Sequence, residues 1–329
     1  MADHYTRRRI ISALSCAGIA PFLMMPRALA ADPPPETTSI RIGTFPFICF
    51  APQLVCEEML RVEGFTAIHF VDSRNELLSR LLARNGCDFT TTLAPEFLLT
   101  IDAGGPVSML AGMHGGCYEL YAREGITGIG DLKGKKIGVY VCREMVAVLA
   151  AYVGLRPDRD LTIIHDPAEK PLEQYLEGKL DAYMAIPPEP YTLREAGAGR
   201  PIVRTAVDRP WSQYFCCMLG TNREFAARYP SATKRVVRAM LKAADFCAAS
   251  PEAAAQQLVS KGLVNNYGAA FETLNTVSYK WRDFDVEDTI RFAALRLREV
   301  DFIKASPNKI LAEGADTRFL KELRRELKA

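Results

Sequence analysis

Short apolar strands alternate with amphipathic helical stretches through almost two hundred residues, and this rhythm restricts the fold more than any other feature of the chain. Residues 40–45, 67–71, 88–92 and 107–112 read as strands, with helices expected at 52–61, 76–84 and 96–103. Alternation of this kind builds a mainly parallel α/β sheet flanked by helices. After a further strand at 118–122, the run GIGDLKGKK (128–136) is rich in glycine and charge, a composition shift that marks a crossing between domains. A second series then places strands at 137–141, 161–164, 181–185 and 202–204, separated by helices at 145–153, 172–177 and 190–196. The strand 216–220 comes next, and Asn222 is expected to cap a helix running to 229. Helices at 231–247, 251–261, 286–303 and 317–327 follow and are expected to pack on the first lobe. One sheet is thus visited, left for a second and rejoined. Lobe I is expected to comprise residues 31–128 and 213–329, and lobe II residues 129–212. A chain of 329 residues with 49% hydrophobic content can bury a large share of its surface, which suits two domains.

The first thirty residues stand apart from this pattern. Arg7-Arg8-Arg9 precede the mostly apolar stretch 10–25, and Ala28-Leu29-Ala30 supply a small-x-small cleavage signal, so residues 1–30 read as an export signal cleaved after Ala30. The paired arginines resemble the twin-arginine type, whose substrates fold before export. A membrane anchor is the weaker reading, because the apolar stretch is interrupted by Pro21 and a spanning helix needs roughly twenty residues.

Four Arg and one Asp in this segment contribute +3 to the net charge of +2, which leaves the mature chain near −1. No basic field remains to recruit nucleic acid or an acidic membrane surface. Nine cysteines would suggest disulfides in an exported protein, but they are scattered, with one adjacent pair at Cys216-Cys217 and no C-x-x-C. Folding in a reducing compartment before export would leave most of them as small buried hydrophobes.

Four motifs carry a resemblance to a known family: IRIGT (40–44), CDFTTT (87–92) ahead of Pro95, DLKGKKIGV (131–139) and LEGKLDAY (176–183). Over roughly residues 38–250 the chain resembles the type II periplasmic solute-binding proteins of the nitrate, sulfonate and taurine group, which are related to the thiamine pyrimidine-precursor synthase. The resemblance implies a two-lobed periplasmic binding protein type II fold, with the ligand cleft between lobes that close on a small molecule. It further implies a periplasmic protein that works as a monomer and delivers its ligand to an ABC transporter permease in the inner membrane. No cofactor is expected.

Ligands of open α/β sheets bind beyond the carboxyl ends of strands, where loops and helix N-termini present free N–H groups. That rule selects Thr44, Phe45 and Pro46 after the first strand, Thr92, Ala94 and Glu96 after the third, and His114 and Gly115 after the fourth. In the second lobe it selects Arg143 and Glu144, then Pro188 and Glu189. Trp211, near the return to the first sheet, is a candidate for stacking on a ligand or for packing at the hinge. Arg143 could meet a carboxylate or sulfonate directly or form an internal pair. Many anion binders of the resembled group place small hydroxyl residues or glycine at that helix start, so Arg143 favours an organic anion over a simple inorganic one.

His114 and Cys117 are three residues apart and both suit a soft cation, but two ligands do not make a site, and no metal is expected. An enzyme of the synthase type would need a Schiff-base lysine together with iron-binding histidine and cysteine residues. The nearest match, His114 to Cys117, lacks the consecutive cysteines of the fungal motif, and no G-x-S-x-G, H-E-x-x-H or Walker loop is present. Solute binding without catalysis is therefore the expected activity. A synthase-like enzyme and a ligand-sensing module remain the alternatives.

Overall fold

The computed structural model describes residues 32–327 with the exception of Asn75 and Cys142. The segment expected to be an export signal, with its expected cleavage site, lies outside the described residues, as do Cys16 and Cys142.

Ten strands form two five-stranded sheets. In chain order they are β1 (Ser39–Thr44), β2 (Ala67–Asp72), β3 (Phe89–Leu93), β4 (Val107–His114), β5 (Glu119–Ala122), β6 (Lys136–Val139), β7 (Thr162–Ile164), β8 (Ala182–Ala185), β9 (Arg200–Arg204) and β10 (Cys217–Asn222). The first sheet has the order β2-β1-β3-β10-β4 and the second β7-β6-β8-β5-β9. Each is parallel except for one inserted strand, β10 or β5, which runs antiparallel to both its neighbours. Each lobe therefore completes its sheet with a strand that adjoins the passage to the other lobe, and the two lobes share one winding. The fold is the expected two-lobed α/β architecture.

The place of β5 differs from the sequence expectation. It pairs with β8 and β9, so it belongs to the second sheet, although residues 118–122 fell within the stretch assigned to lobe I. All four residues of β5 are buried, and a short apolar strand carries no mark of which sheet it joins. The chain crosses at 115–118 and returns through 205–216. The glycine-rich run at 128–136 is a surface turn, with a 3-10 segment Ile129–Leu132, leading into β6.

Two hydrogen bonds stitch the crossings together: Tyr118 N–H donates to Thr205 Oγ1 at 2.8 Å, and Thr205 N–H donates to the Tyr118 carbonyl at 2.8 Å. Gly116 permits this approach, because a Cβ there would lie 2.1 Å from the Thr205 carbonyl oxygen. Within the first sheet, fully buried Gln53 joins β1 to β3. Its Nε2 donates to the Gly43 carbonyl at 3.0 Å and its Oε1 accepts from Thr91 N–H at 2.6 Å. Asn222 caps the helix Arg223–Arg228 as expected, accepting from Glu224 N–H at 2.9 Å.

The long helix Pro230–Ala249 packs on the first lobe, burying Val236, Val237, Met240 and Leu241. The helix Val286–Glu299, by contrast, packs against both Ala94–Asp102 of the first lobe and Arg143–Tyr152 of the second. The C-terminal region thus spans the two lobes instead of covering the first alone. Tyr214 and Phe292 stack at 4.1 Å in this seam, and Arg156 meets Asp301 at 2.6 Å. Helices Tyr267–Thr276 and Pro307–Gly314 were not anticipated from the sequence. Both are short, at ten and eight residues, and burial against neighbours stabilises helices of this length more than their own patterning does.

Candidate functional site

A cleft of about 740 Å³ opens where the carboxyl ends of β1, β2 and β3 face those of β6 and β7. That volume suits a small organic molecule. Its apolar side consists of Phe45, Phe47 and Phe50, which follow β1. The Phe45 and Phe47 rings are 4.3 Å apart, and Phe50 meets Phe47 edge-on at 5.6 Å. Tyr140 and Val141, after β6, stand on the other lobe.

The charged lining holds three arginines and three glutamates, with His165 beside them. Arg74 and Arg80 come from the segment after β2, Arg143 from the start of the helix Arg143–Tyr152, and His165 from the end of β7. Among the described residues the Arg80 guanidinium has no ion-pair or hydrogen-bond partner, and Arg80 is exposed. Arg74 pairs with Asp72 at 2.9 Å, both side chains being largely exposed. Arg143 keeps a long 3.9 Å contact with Glu144, and its guanidinium lies 5.6 Å from the Phe302 ring centre.

The acids of the cleft are already engaged. Glu76 is bound by Arg84, whose guanidinium holds its carboxyl below the usual range. Glu96 is buried and both its oxygens are occupied: Oε1 accepts from Ser79 N–H at 2.7 Å, and Oε2 from Thr92 Oγ1–H at 2.6 Å. Burial raises the Glu96 carboxyl above its ordinary value, outweighing these two bonds. Its bond to Ser79 fixes the start of the helix Leu78–Ala83, which carries Arg80. Glu96 is therefore a support for the cleft wall.

Of the thirteen residues selected from the sequence, Phe45, Thr92, Glu96, Arg143 and Glu144 line the cleft together. The others do not. Thr44 ends β1 with its hydroxyl buried and unpartnered, and Pro46 is exposed beside the aromatic segment. Ala94 and Trp211 line a separate crevice of about 30 Å³ in the seam between the lobes, where the Trp211 ring lies 5.3 Å from that of Tyr152. Packing at the hinge is thus the role the geometry gives Trp211. Gly115 is placed against Phe284. Pro188 lines a small crevice with Tyr118 and Arg194. Glu189 is turned inward, accepting from Tyr183 O–H at 2.6 Å and from Ile186 N–H at 2.9 Å, and burial pushes its carboxyl up to about 7. His114 is fully buried at the end of β4 and takes no part in the cleft.

The strand-end rule failed at these positions because strands of both sheets end in turns that pack as well as turns that bind. It also found less than it could have. Applied to β2 it would have reached Ser73, Arg74 and the helix bearing Arg80, and applied to β7 it would have reached His165.

With this geometry in hand, the comparisons with known proteins are informative. The NMT1/THI5 like family model matches residues 68–254, more than half of the chain, and the chain belongs to that family. No curated protein matches it by sequence. The fold is similar to that of the periplasmic nitrate-binding protein NrtA from Synechocystis PCC 6803, with a TM-score of 0.69 and 15% identity over 90% of each chain. It is also similar to a ligand-binding component of an ABC-type import system from Staphylococcus aureus solved with zinc bound, with a TM-score of 0.70 and 13% identity over 87% of this chain and 99% of that one. A putative periplasmic sulfonate-binding protein SsuA from Methylobacillus flagellatus KT gives a TM-score of 0.67 and 17% identity, over 88% of this chain and 94% of its own. These likenesses confirm the two-lobed binding-protein fold.

Proposed function

We propose that this member of the NMT1/THI5 like family is the solute-binding component of an ABC-type importer, and that it captures a small organic anion between its lobes. The observation that carries the reading is Arg80, a cation without a partner among the described residues, on the wall of a 740 Å³ cleft that is also lined by Phe45, Phe47 and Phe50. A guanidinium presents a planar fork of donors that matches a carboxylate or sulfonate. The three phenylalanines would enclose an apolar or flat body attached to that group. Arg74 and Arg143 add further cations to the lining, while the acids that could oppose them are bound to Arg84, to Ser79 and Thr92, or beside Arg143. The relatives named for nitrate and sulfonate binding support the choice of an anion, and the aromatic side favours an organic one.

On this reading the chain is exported by the twin-arginine route and acts in the periplasm as a monomer, handing its ligand to a permease of the inner membrane. It performs no catalysis. No lysine lines the cleft among the described residues, so an enzyme of the pyridoxal type would lack its Schiff-base amine there. A thermal-shift screen over alkyl and aryl sulfonates, carboxylates, nitrate, pyrimidines and amines tests the proposal, since a ligand that binds only the folded state raises its melting temperature. Stabilisation by an organic anion, without turnover of that anion, is expected. Selective stabilisation by amines, or conversion of the bound compound, would overturn it.

A further inference from the structure

Behind the cleft, on the hinge side of the first lobe, five sulfur and nitrogen donors from distant parts of the sequence converge. Cys49 lies in the 3-10 turn Ile48–Phe50, His114 ends β4, and Cys117 sits in the first crossing. Cys216 and Cys217 close the second crossing and open β10. All five are buried, with exposures of 0 to 4%. The donor atoms of Cys49, His114 and Cys117 lie within 4.8 Å of one another, as do those of His114, Cys216 and Cys217. Cys117 Sγ and Cys216 Sγ are 3.5 Å apart. Tetrahedral coordination at ordinary metal–sulfur and metal–nitrogen lengths places neighbouring ligand atoms about 3.5–3.8 Å apart, so small rotamer changes would bring these donors onto one ion. A disulfide would instead need that sulfur pair to close to about 2.0 Å.

The histidine carries the argument furthest. Its Nδ1 lies 2.6 Å from the Gly115 carbonyl, which can only accept, so the ring proton sits on Nδ1. In the neutral ring Nε2 then presents a lone pair, and among the described residues this atom is buried without a hydrogen-bond partner. A buried imidazole nitrogen left unpaired is costly. A histidine whose far nitrogen donates to a backbone carbonyl while the near one points at thiols has the arrangement of a metal ligand with its outer hydrogen bond in place. Tyr279 closes the other side, its ring 5.6 Å from the imidazole and its hydroxyl donating to the Cys49 carbonyl at 3.3 Å.

We propose that His114 and three of the four thiols of Cys49, Cys117, Cys216 and Cys217 bind one thiophilic d10 cation, zinc(II) or copper(I), in a closed site separate from the ligand cleft. Imidazole and thiolate are the ligands such ions prefer, and the burial of the cluster suits a site without an open position. The three thiols bind as thiolates and release their protons to solvent, which leaves the buried site at −1 with zinc(II) and at −2 with copper(I). Because Cys117 belongs to one crossing and Cys216 to the end of the other, the ion would tie the two connections between the lobes. Spacing along the chain could not reveal the site, since it shows only the pairs His114 with Cys117 and Cys216 with Cys217. The proposal does not depend on what the cleft binds.

The test uses the full chain, reduced and stripped of metal by chelation, then titrated separately with zinc(II), cobalt(II) and copper(I). One equivalent of zinc or copper is expected, and cobalt(II) should give the strong visible bands of tetrahedral coordination with thiolate-to-metal charge transfer. The His114→Ala variant should lose these bands, whereas Cys56→Ser and Cys247→Ser, which alter buried thiols outside the cluster, should keep them. If His114→Ala does not fold, alkylation mapping of the unaltered chain decides. Metal should shield Cys49, Cys117, Cys216 and Cys217 and leave Cys56 and Cys247 as reactive as before. Failure of the reduced protein to bind either ion, six-coordinate cobalt spectra, or a Cys117–Cys216 disulfide in the chain isolated without reductant would overturn the proposal.

Discussion

Adding one methyl group at Gly116 probes the crossing on which the two-lobed arrangement rests. The Cβ of Gly116→Ala would lie 2.1 Å from the Thr205 carbonyl oxygen and 2.2 Å from its carbon, where real Cβ contacts stay beyond 3.0 Å. The two crossing segments must therefore part by about 1 Å, as overpacked sites do at a cost of about 1–3 kcal/mol. Such a displacement also stretches the two 2.8 Å bonds between Tyr118 and Thr205, each contributing about 0.5–1.5 kcal/mol. The combined loss is about 2–6 kcal/mol. Urea unfolding of the full chain, followed by tryptophan fluorescence, measures it as a fall in midpoint at unchanged slope. Gly128→Ala serves as the matched control. Its backbone is extended at φ −157° and a Cβ there meets nothing within 4 Å, so that variant should be unchanged or more stable by up to about 1 kcal/mol. If the two variants unfold within about 0.5 kcal/mol of each other, the crossings are not held as described.

Other consequences are equally specific. Asp88 accepts from Arg41 N–H at 2.7 Å and pairs with the Arg41 guanidinium at 2.6 Å, so Asp88→Ala should cost about 1–3 kcal/mol by leaving a strand N–H unpaired. Arg41→Ala, which removes a side chain that is 42% exposed and keeps the backbone bond, should cost less than about 1 kcal/mol, and thermal melts of the pair would show the order. Glu189, with its carboxyl raised by burial to about 7, makes the native state less stable as pH rises from about 4.5 to 7, because only the unfolded chain releases the proton in that window. The loss reaches roughly 3 kcal/mol, and urea midpoints of Glu189→Gln across the same range should lack this component. Parallel pH profiles for the two proteins would contradict that role.

Much of the fold is legible in the sequence because strand–helix alternation is a local signal. Almost every strand of both sheets lies within two residues of its expected position, and the Asn222 cap is where a cap residue should be. What the sequence conceals is partnership. Residues 119–122 look the same whichever sheet they join, and only the pairing with β8 and β9 assigns them to the second lobe. The same limit governs the cleft. Phe45, Thr92, Glu96, Arg143 and Glu144 meet there because each lies at or just beyond the end of a strand facing the cleft, but Glu189 follows a strand too, and its carboxyl turns back to cap its own loop. Arg80 escapes the strand-end rule because it sits inside the helix Leu78–Ala83, beyond the loop that follows β2. Most of the cysteines are expected from the sequence to be small buried hydrophobes, and the seven described ones are buried. Their convergence on His114 joins segments up to 168 residues apart, of which spacing shows only the pairs His114 with Cys117 and Cys216 with Cys217.

The central claim, an organic anion held between the lobes by Arg80 and the aromatic side, is tested most directly by calorimetric titration of the full chain and its Arg80→Ala variant with the best anion from the thermal screen. Loss of a charge-assisted bond of about 1.5–3 kcal/mol should weaken binding roughly 10- to 150-fold. One site per chain with that loss of affinity is the expected result; equal affinity for the two proteins would contradict the account.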